Sequence, residues 1–205
     1  MSLFPMFVKL DGRRVVVVGG GEIAAGKIAG LLQADARVRI VSPTLNSALA
    51  ALVRDNKIEW SKKEFAPEDL EDAFLVIAAT SIPSVNEAVY HAADERGLLC
   101  NAVDDIQNCH FYYGSIVQRG DLQIAISTNG KSPALAQRLR KELETQFGPE
   151  YESWIEWLGA AREVLRASGA AQEQNKEALH HLASRGMFER FKRDSNRAPS
   201  TEGVQ

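Results

Sequence analysis

Along the first hundred residues, apolar positions fall into short unbroken blocks separated by amphipathic stretches. Residues 15–18 (VVVV) form such a block and close at Gly19-Gly20-Gly21, the pattern of a parallel strand covered on both faces. Across 22–33, Ile23, Ala24, Ile28, Leu31 and Leu32 return at helical spacing. Further strands are predicted over 38–41, broken by Ser42-Pro43, and over 58–65, short and polar. Two more are predicted over 74–79, ending at Thr80-Ser81, and over 98–103, ending at Asp104-Asp105. Residues 83–96 predict a helix stopped by Gly97. Strands and helices alternating in this way predict an α/β, Rossmann-like domain.

Beyond residue 110 the rhythm changes. Residues 111–118 and 122–127 read as two strands joined at Arg119-Gly120-Asp121, a hairpin signal. Ser132-Pro133 then opens a helix that runs to Gly148-Pro149, with serine suited to the N-cap and proline to the first helical position. From Tyr151 onward the pattern is helical. The expected organisation is a Rossmann-like domain over 1–113, a hairpin-plus-helix segment over 114–149 and a helical domain over 150–205. The polar end SNRAPSTEGVQ is expected to fray.

Composition narrows the function classes. A chain of 205 residues, 45% hydrophobic and 25% charged, buries a core without disulfides. The net charge of −3, from 24 basic against 27 acidic residues, supplies no global field for nucleic acid or an anionic membrane. The longest apolar runs fall far short of the roughly 20 residues that cross a bilayer, and the amino end carries no secretory pattern. Cys100 and Cys109 are too few for a disulfide framework, so the expected compartment is the reducing cytoplasm.

The candidate chemistry lies at the predicted strand ends. Gly19-x-Gly21-x-x-Ala24 sits between a strand and a helix: the first glycine permits a tight turn, and the second lets backbone approach a pyrophosphate. The small third residue lets the helix pack close to the sheet. The alternative is a tight βα turn with no ligand. The acidic residue expected about 20 positions later to hold a ribose is missing, as is an arginine to read a 2′-phosphate. Ser42, Thr44 and backbone groups remain for the ribose, and spacing alone leaves NAD against NADP open. Gly21, Thr80 and Asp104 fall along one sheet edge, where ligands of open α/β sheets bind. Alternation along a strand lets one of Asp104 and Asp105 face the cleft. That one could serve as a general base; otherwise the pair is a surface loop or a cap.

In this order, FPMFVKLDGRRVVVVGGGEIAAGKI, LVIAATSIPSVNEAV, CNAVDD and ISTNGKSPALAQRLRKELE resemble the precorrin-2 dehydrogenase family, the first domain of siroheme synthases. The likeness covers about residues 3–147, and the helical tail is similar only in type. It implies a Rossmann domain, a central dimerisation segment and a helical domain, in a homodimer. It implies oxidation of precorrin-2 to sirohydrochlorin with NAD, and in some members insertion of Fe²⁺. The family's base falls on Asp104, and its nucleotide-contacting pairs fall on Glu22-Ile23 and Pro43-Thr44, which join Gly19, Gly20, Gly21, Ser42 and Thr80 as the cofactor-binding candidates. This family does without the ribose acid. A position that is serine in some fused relatives, where it can be phosphorylated, is Thr128 here, and their methyltransferase domain has no counterpart in this chain.

A polycarboxylate substrate calls for a locally positive cleft. Arg119, Lys131, Arg138, Arg140 and Lys141 could supply it, or form the solvated face of a helix. Cys100 and Cys109 lack zinc-type spacing, and Cys109-His110 and His180-His181 are adjacent pairs that do not converge on one ion, so no metal site is expected. His110 is the secondary catalytic candidate. Trp154 and Trp157, three apart, suit helix packing better than a porphyrin platform. The basic run Arg185, Arg190, Lys192, Arg193 and Arg197 reads as a solvated face, with too few interleaved aromatics for RNA. The alternative to an enzyme is a regulatory module that senses NAD through the same glycine turn.

Overall fold

Val15, Val16 and Val17 are completely buried, because β1 (Arg14–Val18) is the central strand of a parallel sheet clad on both faces. Val15 and Val17 meet α1 (Glu22–Gln33) and α2 (Ser47–Arg54), whereas Val16 and Val18 pack on the side of α3 (Pro83–Asp94). The alternation of one strand thus feeds two cores. The structure, a computed structural model, describes residues 3–195, and these divide between Tyr113 and Gly114 into two units. Residues 196–205 of the polar end, with Arg197, lie outside the described residues.

In the first unit, β2 (Arg37–Val41), β3 (Glu59–Ser61), β4 (Leu75–Ala78) and β5 (Leu99–Ala102) join β1 in the order β3-β2-β1-β4-β5. All pairs are parallel, as the Rossmann-like reading predicts. The third strand is shorter than predicted, since only Glu59–Ser61 pairs with β2. Helix α2, which the apolar pattern does not mark, is capped by Asn46, whose side chain accepts from the Leu49 N–H.

The strand predicted from residue 111 is a correction. Residues 109–111 instead double back along β5: the His110 N–H donates to the Cys100 carbonyl, and Asn101 pairs with Cys109 in an isolated bridge. Asn101, 6% exposed, donates from Nδ2 to the Phe111 carbonyl at 2.8 Å, which diverts the aromatic residues from any ladder.

In the second unit, β6 (Ser115–Arg119) and β7 (Leu122–Ile126) form an antiparallel hairpin, with Gly120 at φ +55 in its turn. Ser132 caps α4 (Pro133–Gln146) through the Leu135 N–H. Then follow α5 (Glu150–Ala167), α6 (Gln172–Leu182) and α7 (Arg185–Ser195). Trp154 stacks on Trp157 and meets Phe188 and Phe191, so the tryptophan pair joins α5 to α7. Among the described residues no helix is long and apolar enough to cross a membrane.

Candidate functional site

Register fixes which loops are neighbours. Val18 pairs with Val41 on one side and Ala78 on the other, and Ala78 pairs with Ala102. Residues 19–21, 42–44, 80 and 104 therefore follow the carboxyl ends of adjacent strands. The order of the sheet reverses between β1 and β4, the switch point at which such sheets bind ligands.

The three glycines serve different ends. Gly19 has φ +123, and a side chain there would collide with the Ala79 carbonyl. One on Gly20 would collide with the Thr44 carbonyl and come within 2.8 Å of the Ser42 hydroxyl. Gly21 has no atom within 4 Å of where its side chain would be, so its bareness leaves open space rather than allowing packing. Gly21 is also the N-cap of α1, and no side chain caps that terminus. The first-turn N–H groups, those of Glu22 and Ile23 among them, are thereby left for an anion. An uncapped helix start beside a bare glycine fits the pyrophosphate of a dinucleotide.

On the β2 side, the Ser42 hydroxyl is turned inward: it donates to the Thr44 carbonyl at 2.8 Å. Pro43 and Thr44 are exposed. Asn46 ties this loop to the glycine turn, because its N–H donates to the Gly20 carbonyl at 2.8 Å and its Nδ2 to Glu22 Oε1 at 2.8 Å. After β4, the Thr80 hydroxyl donates to Asn86 Oδ1 at 2.8 Å and accepts from the Ile82 N–H. Asn86, 5% exposed, returns a bond to the Thr80 carbonyl. Thr80 thus shapes the β4–α3 turn through a partner that sequence reasoning missed.

Both aspartates after β5 lie beyond the end of the strand, so a turn rather than strand alternation divides their roles. Asp105 accepts from the N–H groups of Gln107 and Asn108 and from Asn108 Nδ2. Asp104 stands at φ +61, is exposed, and accepts no hydrogen bond from any described residue. Its turn is anchored on both sides by Val103 N–H to the Ala78 carbonyl and Asp105 N–H to the Ala102 carbonyl. Cys109 Sγ closes the loop against the Ala102 and Asp105 carbonyls, each at 3.0 Å. Both cysteines are free, and burial pushes the Cys100 thiol up to about 12.

Lys27, on the second turn of α1, is a further candidate residue that sequence reasoning missed. Its Nζ lies 3.6 Å from the centre of the Tyr113 ring. Burial holds its ammonium below the usual lysine range, and Asp104 and Cys109 pull partly the other way. No motif marks it; the order of the sheet brings it to Asp104.

The other candidates are engaged elsewhere. Both His110 nitrogens have partners: Nδ1 accepts from the Cys100 N–H at 3.1 Å, and Nε2 lies 3.0 Å from Asp94. Its ring stacks on Tyr90, and no contact joins it to Asp104 among the described residues. Arg119 does not line a cleft, for it donates from Nε to the Phe147 carbonyl and from Nη2 to the Glu144 carbonyl, closing the end of α4. Arg138 and Arg140 pair with Glu142 and Glu144 on their own helix. The Thr128 hydroxyl accepts from the Ser132 N–H. In the basic run, Arg190 pairs with Asp194 and Lys192 with Glu189. Among the described residues no three His, Cys, Asp or Glu side chains are grouped to hold a metal ion.

Comparisons with known proteins match this layout. Residues 6–115 match the family described as "Putative NAD(P)-binding", and residues 119–146 match "Sirohaem biosynthesis protein central". Siroheme synthase 1 of Yersinia enterocolitica is 50% identical over 82% of this chain and 37% of its own length. A siroheme synthase of Neisseria meningitidis is 42% identical over 81% of this chain and 34% of its own. The chain thus spans little more than a third of the length of the curated relatives it matches. The solved structure of SirC, a precorrin-2 dehydrogenase, is similar with a TM-score of 0.81 at 26% identity, covering 91% of this chain and 92% of that one. With more than half of its residues inside the first of these matches, the chain belongs to the NAD(P)-binding family.

Proposed function

We propose that the chain is an NAD-dependent dehydrogenase that takes precorrin-2 to sirohydrochlorin, acting in the cytoplasm as a homodimer. One observation carries the reading: Asp104 presents an unbonded carboxylate from an anchored left-handed turn, on the same sheet edge as the uncapped glycine turn. The names of the relatives, siroheme synthase and precorrin-2 dehydrogenase, support the same chemistry. The dimer is supported by Ile116, an apolar side chain left exposed on β6 while the neighbouring Val117 is buried.

When bound, NAD supplies the acceptor for the hydride that leaves the reduced macrocycle. Gly21 and the first-turn N–H groups of α1 would hold the pyrophosphate, Ile23, exposed beside them, would offer an apolar contact, and Pro43-Thr44 would border the ribose. Asp104 takes the proton released with the hydride, so dehydrogenation needs this one base. His110 holds the 109–111 return against α3 and steadies the Asp104 loop from behind.

The test is anaerobic incubation of the full chain with precorrin-2 and NAD, read by absorbance. Sirohydrochlorin and NADH should appear together, and Asp104→Asn should lower turnover on the order of 10²-fold or more with nucleotide affinity retained. Tight nucleotide binding without turnover would sink the dehydrogenase and favour an NAD-sensing module. Sirohydrochlorin supplied with Fe²⁺ in the absence of NAD reads metal insertion in the same preparation.

A further inference from the structure

A lysine half buried on the second turn of α1 is unusual, because ammonium groups that lose water normally gain an acceptor in exchange. Lys27 gains none: among the described residues it makes no hydrogen bond and no ion pair. Its Nζ rests instead on the Tyr113 ring at 3.6 Å, a contact that favours the cation but supplies no hydrogen-bond acceptor oxygen. Asp104 is close enough to act on its charge yet is not in contact with it. The space between the two charges is therefore not closed by a salt bridge. Tyr113 cannot neutralise the lysine either, since burial pushes its phenol up to about 12.

We infer that Lys27 anchors a carboxylate of the substrate beside Asp104 and so helps select a polycarboxylate macrocycle, an inference that rests on the dehydrogenase reading above. The physical need is plain. A base that is itself a carboxylate repels a substrate rich in carboxylates, and a cation between them removes that repulsion at the point where the proton must be reached. The nucleotide does not need this lysine, because the pyrophosphate is served at the N-terminus of α1 and Lys27 sits a full turn further on. A purely structural role does not need the charge: a methionine would cover the same ring without it.

The test compares Lys27→Met and Lys27→Arg in the full chain, using uroporphyrin, a polycarboxylate porphyrin, as a binding probe. Lys27→Met should weaken probe binding about tenfold, the worth of one charge-assisted hydrogen bond. It should also raise KM for precorrin-2 more than it lowers kcat, and leave NAD affinity unchanged. Lys27→Arg should restore most of the loss. Probe affinity should fall on the alkaline side as Lys27, held below its usual range by burial, loses its proton. Asp104, Cys109 and Tyr113 are the groups that face it; because arginine stays charged, Lys27→Arg should lack that fall. Unchanged probe binding in Lys27→Met overturns the inference, as does a parallel loss of NAD affinity, which would make the lysine a nucleotide ligand. Lysine-dependent probe binding in a chain that turns nothing over keeps the anchor and removes the reaction. Turnover indifferent to Lys27→Met removes the anchor alone.

Discussion

Gly20 and Gly21 stand side by side in the chain and face opposite consequences of a single methyl group. At Gly20 the methyl runs into the Thr44 carbonyl, which is backbone and cannot swing aside. Gly20→Ala should therefore cost roughly 1–3 kcal/mol, seen as a clear drop in Tm. At Gly21 the methyl enters open space, so Gly21→Ala should cost only the roughly 0.5–1 kcal/mol by which glycine exceeds alanine as the N-cap of α1, a smaller drop in Tm than at Gly20, and lose NAD affinity as well. Thermal melts and nucleotide titrations on the two variants separate a packing glycine from a ligand glycine. The spacing of 19, 21 and 24 made the first and third residues of the turn legible, but not Gly20. Its reason lies in a loop after β2 that only the fold brings near. The same holds for Lys27, which reads as one more polar position on α1 until β5 is known to lie two strands away. Ser42 and Thr80 were legible as residues at strand ends. That their hydroxyls turn inward, to the Thr44 carbonyl and to Asn86, depends on loop paths that no periodicity encodes.

Helix α4 shows how an element can look functional in sequence and be structural in space. Its arginines read as a cationic cluster fit for an anionic ligand, yet Arg119 reaches from β6 to the last carbonyls of the helix. A guanidinium there satisfies orphan acceptors and meets the negative end of the helix dipole. Arg119→Met should lower stability by roughly 1–2 kcal/mol, measured by denaturant melts, and leave porphyrin affinity unchanged. Strands β1, β4 and β5 were readable because short, largely apolar blocks buried on both faces have little other place to go. The segment from Phe111 to Gly114 was misread because aromatic residues that pad a sheet edge have the composition of a strand. What diverts them is the buried amide of Asn101, ten residues upstream.

At the scale of the whole chain, the division between Tyr113 and Gly114 separates the nucleotide-binding edge from the hairpin and helices. Both apolar cores, on either face of the parallel sheet, lie in the first unit, so a ligand confined to that sheet edge should protect this unit selectively. NAD at about a hundred times its Kd should add roughly 2.7 kcal/mol to the unit that binds it. Hydrogen exchange should show the protection in β1, β4 and β5, with α5 and α7 unchanged; uniform protection of both units would contradict a site confined to the first. Within the first unit, Asn46 bonds Gly20, Glu22 and Leu49 at once, so the glycine turn and the loop after β2 are one mechanical body. For evolution this makes coenzyme preference a two-segment trait. With Pro43-Thr44 at the ribose as proposed, a residue there able to read a phosphorylated ribose would move a loop whose Thr44 carbonyl packs on Gly20, so its benefit would depend on a second, compensating change in the glycine turn. Such epistasis confines the lineage to paired steps and shields the inherited preference from drift.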